Sequence, residues 1–167
     1  LINGTSGEIA LSVDTTGAVT KPKQPAFSVH KNGTTQSDMA VGSTVDITFG
    51  TERFDINSDY NTSNSTFTAP VTGKYSFSVG LRLAYIDADS NYLVLGIVTS
   101  NESYRYIVDP TDTMTGDPDY YSITLTALAD MDASDTASIQ YLQSGGSAQT
   151  DAIGNPEYTF FTGHLVG

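Results

Sequence analysis

An all-β fold follows from three features of this sequence: the residue types it favours, the spacing of its apolar positions and its dense turn signals. Threonine (23) and serine (18) are abundant, tyrosine and phenylalanine total 17, and 15 aspartates stand against 4 glutamates. β-Branched and aromatic side chains suit a pleated surface, aspartate suits turns, and strong helix formers are scarce. Apolar residues alternate with small polar ones, as at Ile123, Leu125 and again at Ile139, Tyr141, while no segment holds three helical turns of apolar periodicity. Many short runs with turns between them predict a β-sandwich or jelly roll.

Taken in order, residues 1–25 differ from the rest. Ile9, Leu11 and Val13 alternate, Asp14-Thr-Thr-Gly17 reads as a turn, and Ala18-Val19 follows. This is a small hairpin with too few apolar side chains to stand alone. Lys21-Pro22-Lys23-Gln24-Pro25 is an extended connector whose prolines cannot continue a ladder. Residues 1–25 therefore read as the end of a stalk plus linker, and LINGTSGEIA reads as a piece of something longer. Residues 26–167 read as a head domain. Its predicted strands are 26–30, 44–49, 54–57, 66–69, 74–85, 92–100, 104–108, 120–128, 137–143 and 158–166. Tyr75, Phe77, Val79, Leu81 and Leu83 share one face of the long strand, wide enough to fill a sandwich core or a subunit interface. Gly73, after Pro70-Val71-Thr72, reads as a turn residue using the positive φ open to glycine.

Length and charge narrow the function. The 167 residues fit one domain with a short appendage and fold to about 8,000 Å² of surface, enough for a core without staples. With no cysteine, there is no disulfide, thiolate metal site or cysteine nucleophile. A net charge of −12 disfavours nucleic acid and anionic membrane surfaces as partners. No apolar run reaches the roughly 20 residues of a membrane span, and no signal peptide opens the chain.

The segment FGTERFDINSDYNTSNSTFTAPVTGKYSFSV carries Phe49, Asp55, Tyr60, Phe67, Gly73, Tyr75 and Phe77 at specific intervals. It resembles the signature of the globular domain of complement C1q, a relative of the tumour necrosis factor jelly roll; Val79 departs from it, standing where the family usually has Phe or Tyr. PAFSV at 25–29 looks like the family's first strand, carrying Phe27. FFTGHLVG at 160–167 looks like its last, carrying Phe161 and Gly163, and Asp135 stands at its usual turn. The resemblance implies a ten-stranded sandwich assembling as a homotrimer, both termini at its base, with these aromatics and glycines in the core or trimer interface. IALSVDTTGAVTKPKQPAFSV is in turn similar to bacteriophage structural proteins, where short β-rich segments precede receptor-binding or decoration domains.

Candidate chemistry is sparse. His30 and His164 fall on the first and last strands, which the resemblance makes neighbours, but no G-x-S-x-G string accompanies them and catalysis is not expected. Asp87, Asp89 and Asn91 place three oxygen donors at alternate positions of a loop, a candidate calcium site. Asp109-Pro-Thr-Asp112 and Asp117-Pro-Asp119 read as turns, and Asp130, Asp132 and Asp135 precede a strand and shape its entry. Within Tyr104–Tyr121, Tyr104, Tyr106 and Tyr120 bracket a loop with Asp109, Asp112, Asp117 and Asp119, a candidate surface for a glycan or protein receptor. Five Asn-x-Ser/Thr strings arise easily in a chain this rich in those residues. The function expected is a non-enzymatic trimeric head of a viral fibre or virion appendage, extracellular, contacting itself, the rest of the fibre or virion and a host-surface partner. The alternatives are a structural trimerisation cap or capsid decoration, and a secreted C1q-like lectin or adhesion module.

Overall fold

A computed structural model describes residues 2–3, 7 and 9–166. The first 25 residues hold three short antiparallel strands, β1 (Ile2–Asn3), β2 (Ile9–Val13) and β3 (Val19–Thr20). The turn between β2 and β3 is organised by Asp14, whose Oδ1 accepts from the amides of Thr16 at 2.8 Å and Ala18 at 2.9 Å. Gly17 supplies the positive φ of 88° that this turn requires. The connector then docks: the Leu165 amide donates to Pro25 O at 3.0 Å, and Gln24 Nε2 donates to Leu165 O.

From residue 26 the strands are β4 (Ala26–His30), β5 (Thr44–Asp46), β6 (Thr51–Ile56), β7 (Tyr60–Asn61), β8 (Thr66–Thr68), β9 (Gly73–Ala84) and β10 (Ser90–Thr99). They continue with β11 (Ser103–Val108), a one-turn helix α1 (Pro110–Thr113), β12 (Tyr120–Met131), β13 (Thr136–Gly145), β14 (Asp151–Ala152) and β15 (Phe160–Leu165). Two six-stranded sheets result, one ordered β12-β9-β15-β4-β6 with β14 on β9, the other β11-β10-β13-β8-β7 with β5 on β13. The fold is an all-β jelly-roll sandwich. It has two more strands than the ten expected, because β7 and β14 are only two residues long and carry no alternation to read. The run expected to reach Phe49 leaves the ladder at Asp46, yet Ile47 still donates its amide to Ile139 O at 2.9 Å.

Between the sheets lies an aromatic cluster. Phe27, Phe49, Tyr60, Phe67, Tyr75, Phe77 and Phe161 are all at most 4% exposed within a single chain. Phe27 stacks on Phe67 at 4.9 Å between ring centres and on Tyr60 at 5.0 Å, with Phe161 edge-on at 5.0 Å. Such pairs add about 0.5–1.5 kcal/mol each beyond the area they bury. The Tyr75–Leu83 face is likewise closed inside one chain, so it is core and presents nothing to another subunit. Asp55 explains its place in the signature: its carboxylate accepts the amides of Tyr60 at 2.9 Å and Asp59 at 3.2 Å. This holds the turn containing Asn57 (φ 72°) and Ser58 (φ 61°) and aims Tyr60 inward.

Gly73 corrects an expectation. It is the first residue of β9, in register with Met131, and is not among the residues with positive φ. The bends before it therefore close without left-handed backbone at this glycine. Gly163 is required for a different reason, the close approach of the Phe77 and Phe27 rings.

The strand registers give the sandwich a polarity. β4 leaves the connector at Ala26, and β15 returns there at Leu165. At the other end lie the connections 31–43, 85–89, 109–119 with α1, and 146–159 with β14, since His30, Ala84, Ser90, Val108, Tyr120, Gly145 and Phe160 all end their strands on that side. Total exposed surface is 8541 Å², above the size expectation in part because residues 13–23 are exposed throughout.

Candidate functional site

The loop end gathers part of the tyrosine–aspartate segment and disperses the rest. Asp109 precedes α1, its Oδ1 accepting from Thr111 Oγ1 at 2.7 Å. Asp112 and Asp119 are exposed, and Asp117 Oδ1 accepts the Ala88 amide at 2.8 Å, tying this loop to 85–89. Asp119 and Tyr120 line a cleft of about 200 Å³ with Ala84, Tyr85 and Ile153. Tyr106 and Tyr104, in contrast, run down β11 away from the loop, opposite Leu95 and Ile97. Tyr104 packs partly against the core, and desolvation pushes its hydroxyl pKa up. The compact part of the segment is therefore 109–120, without Tyr104.

Sequence reading missed Arg82. Its guanidinium carbon lies 4.1 Å from the ring centre of Tyr120 and 4.7 Å from that of Tyr158, a cation held between two aromatic faces. Arg82 stands on the outer face of β9, opposite Ser122, so Tyr120 two residues away is its diagonal neighbour. The outward alternation of Arg82 was visible in the sequence. Its pairing with Tyr120 depends on a register that the sequence did not contain.

Asp87, Asp89 and Asn91 do not form a calcium cradle. Asp87 Oδ2 accepts the amides of Ser147 at 2.5 Å and Ala148 at 2.9 Å, and its Oδ1 accepts that of Asp89 at 2.9 Å. Those bonds, led by that from Ala148, hold the carboxyl below the usual carboxylate range. Asp87 thus spends its oxygens clamping 146–148 against its own turn. Asp89 and Asn91 are exposed, and Asn91 packs over Gly145. Among the described residues no group of three or more His, Asp or Glu side chains is placed to hold a metal ion.

The histidines lie on adjacent strands but do not meet. His30 is opposite Phe160, and His164 is opposite Ala26. Four residues of ladder, about 13 Å, separate them.

The match to protein families is to the C1q domain, over residues 26–166. Among solved structures, the globular domain of zebrafish complement 1qA superposes with a TM-score of 0.60 at 19% identity, covering 86% of this chain and 98% of its own. Murine APRIL gives 0.58 at 12% identity, covering 86% and 100%, and the Eiger TNF of S. frugiperda gives 0.57 at 14%, covering 86% and 94%. These likenesses establish shape. No curated protein sequence matches significantly.

Proposed function

The chain belongs to the C1q domain family, and from that premise we propose that it is a trimeric, non-enzymatic head domain. It meets a host-surface glycan or protein with the loop end of its sandwich, as part of a viral fibre or virion appendage. The observation that carries this reading is the polarity of the fold. The connector and the last strand meet at one end, and four loops, including Asp109–Tyr120, stand at the other. A module attached through residues 1–25 presents that far end outward.

Trimerisation has its own support. The outer face of the sheet β12-β9-β15-β4-β6 is uncovered in one chain, and Phe54, Tyr120 and Leu128 on its two edge strands are 51%, 55% and 60% exposed. Between these rims lie the half-buried small residues Ser76, Ser78 and Thr162, beside the ring of Phe160 that covers Gly80. Three loop surfaces held together turn weak single contacts into avid attachment. Family membership supports a secreted C1q-like adhesion module equally; a β-rich stalk before the head favours the fibre.

The test is the adsorption of the parent particle. Removing residues 26–167, or replacing exposed Asp112 and Asp119 together, should abolish or weaken attachment. Unchanged adsorption in the double variant leaves the structural cap as the better reading. Unchanged adsorption without the whole head overturns attachment.

A further inference from the structure

The chain has seven Lys and Arg residues, and Lys31 alone of them is buried among the described residues, 4% exposed. It directly follows β4 at the loop end. Its Nζ donates to Gln36 Oε1 at 3.1 Å and to Thr48 Oγ1 at 3.0 Å. Both acceptors are neutral, and an ammonium has a third hydrogen to place. Gln36 Oε1 is already crowded by the Thr48 amide at 3.1 Å and the Thr48 hydroxyl at 3.2 Å. No carboxylate among the described residues pairs with Lys31; burial alone acts on its charge. A buried charge is costly unless a counter-charge meets it.

The surroundings say what kind of counter-charge fits. Lys31 lines a cleft of about 470 Å³ with Asn32, Thr34, Thr35, Gln36, Thr48 and Thr51, and no apolar side chain joins them. That volume suits a small ligand, but the lining suits neither a lipid tail nor an aromatic ring. Hydroxyls and amides in this density match a ligand covered in hydroxyl groups, and the single cation matches one negative charge. The cleft opens at the end of the sandwich away from residues 1–25.

We propose that this cleft binds a sugar carrying one carboxylate, a uronic acid at the end of a glycan, with Lys31 receiving the carboxylate and the threonine and asparagine side chains receiving the hydroxyls. The proposal deepens the glycan side of the attachment reading and rests on it for the source of the sugar. The site itself needs only one chain.

The experiment titrates the full chain with a glucuronate-terminated oligosaccharide, its glucose-terminated counterpart and inorganic phosphate, by calorimetry. Lys31→Met keeps the stem and removes the charge; Asn32→Ala with Thr34→Val alters exposed lining only. The acidic sugar should bind saturably, with the neutral sugar and phosphate each about tenfold weaker or worse, the scale of one charge-assisted hydrogen bond. Lys31→Met should reduce the acidic sugar to the level of the neutral one. The lining pair should weaken both sugars several-fold while keeping their ratio, which also tests the site if Lys31→Met does not fold. Equal binding of the two sugars, phosphate as tight as the acidic sugar, or unchanged affinity in the folded variants overturns the proposal. A parent chain that binds neither sugar, on a particle whose adsorption still requires residues 26–167, overturns this site alone; saturable binding of the acidic sugar by a chain whose removal leaves adsorption unchanged overturns the attachment reading alone.

Discussion

A Cβ on Gly163 would lie 2.5 Å from Cδ1 of Phe77, and the same atom would lie 2.6 Å from Cε1 of Phe27. β15 runs between β4 and β9, and Gly163 is in register with Phe27 on one side and Phe77 on the other. The two rings fold over the space that a missing side chain leaves. Both are fully buried, so neither can swing aside as a flexible surface chain would. Gly163→Ala should therefore cost about 2–3 kcal/mol through overpacking. Urea unfolding checks this: the midpoint should fall with the slope unchanged.

Lys31 makes stability depend on pH in a defined direction. Burial lowers its pKa from 10.5 to about 8 in the folded chain. Between those values the unfolded chain holds a proton that the folded chain lacks, so folding is favoured as pH rises from 8 to 10.5. Below 8 the full penalty applies, up to about 3 kcal/mol at 1.36 kcal/mol per pKa unit. Lys31→Met should thus be more stable than the parent at pH 7, with the difference shrinking to near zero above pH 10.5. Subtracting the two denaturation curves at each pH removes the contribution of every other group. A difference that does not change with pH would show that Lys31 carries no such penalty.

The core was largely legible in the sequence, and the candidate site much less so. Tyr75, Phe77, Val79, Leu81 and Leu83 alternate on β9, and a period of two with one buried face leaves little freedom over which way they point. Asp55 was legible as part of a pattern, although its task of holding two amides was not. The loop end is set by strand register. Asp87 and Ala148 are 61 positions apart yet bonded, and Arg82 on β9 meets Tyr158 in the turn before β15. Lys31 gave no signal at all. A lysine after a strand reads as exposed, and only the fold of 32–51 over it makes it buried.

Because Asp87 serves backbone amides, calcium should leave the protein unchanged. The melting temperature measured with calcium and with a chelator should agree, and a rise of several degrees with calcium would restore the metal reading. Asp87→Ala should instead lower stability by about 1–2 kcal/mol, having released the Ser147, Ala148 and Asp89 amides. Since hydrogen bonds hold its pKa down, its contribution is present above the ordinary aspartate range and is lost as pH falls through the folded value. The parent and Asp87→Ala should accordingly converge in strong acid.

Arg82 and Tyr120 should be energetically coupled. A guanidinium over an aromatic face at a partly exposed site is worth about 0.5–1 kcal/mol. A double-mutant cycle with Arg82→Ala and Tyr120→Ala should return a coupling of that size, and strictly additive losses would deny the contact. Arg82→Lys should recover only part of it, since an ammonium cannot lie flat between the rings of Tyr120 and Tyr158.

Leu128 tests the assembly directly. It lies on the outer face of β12 opposite Ser76, 60% exposed, so no core contact depends on it. If three chains bring this sheet face together, light scattering should give about 53 kDa, three times the 17.7 kDa of one chain. Leu128→Asp would then bury three carboxylates without partners, a cost of several kcal/mol per charge. The variant should scatter as a single chain of 17.7 kDa while its circular dichroism stays that of the parent. Phe54→Asp, on the opposite edge strand, should do the same if the contact spans the sheet. A parent that is already monomeric would remove the trimer from the proposed function. A trimer that survives both substitutions would place its interface on another surface, because two charges on opposite rims of this face could not both be tolerated within it.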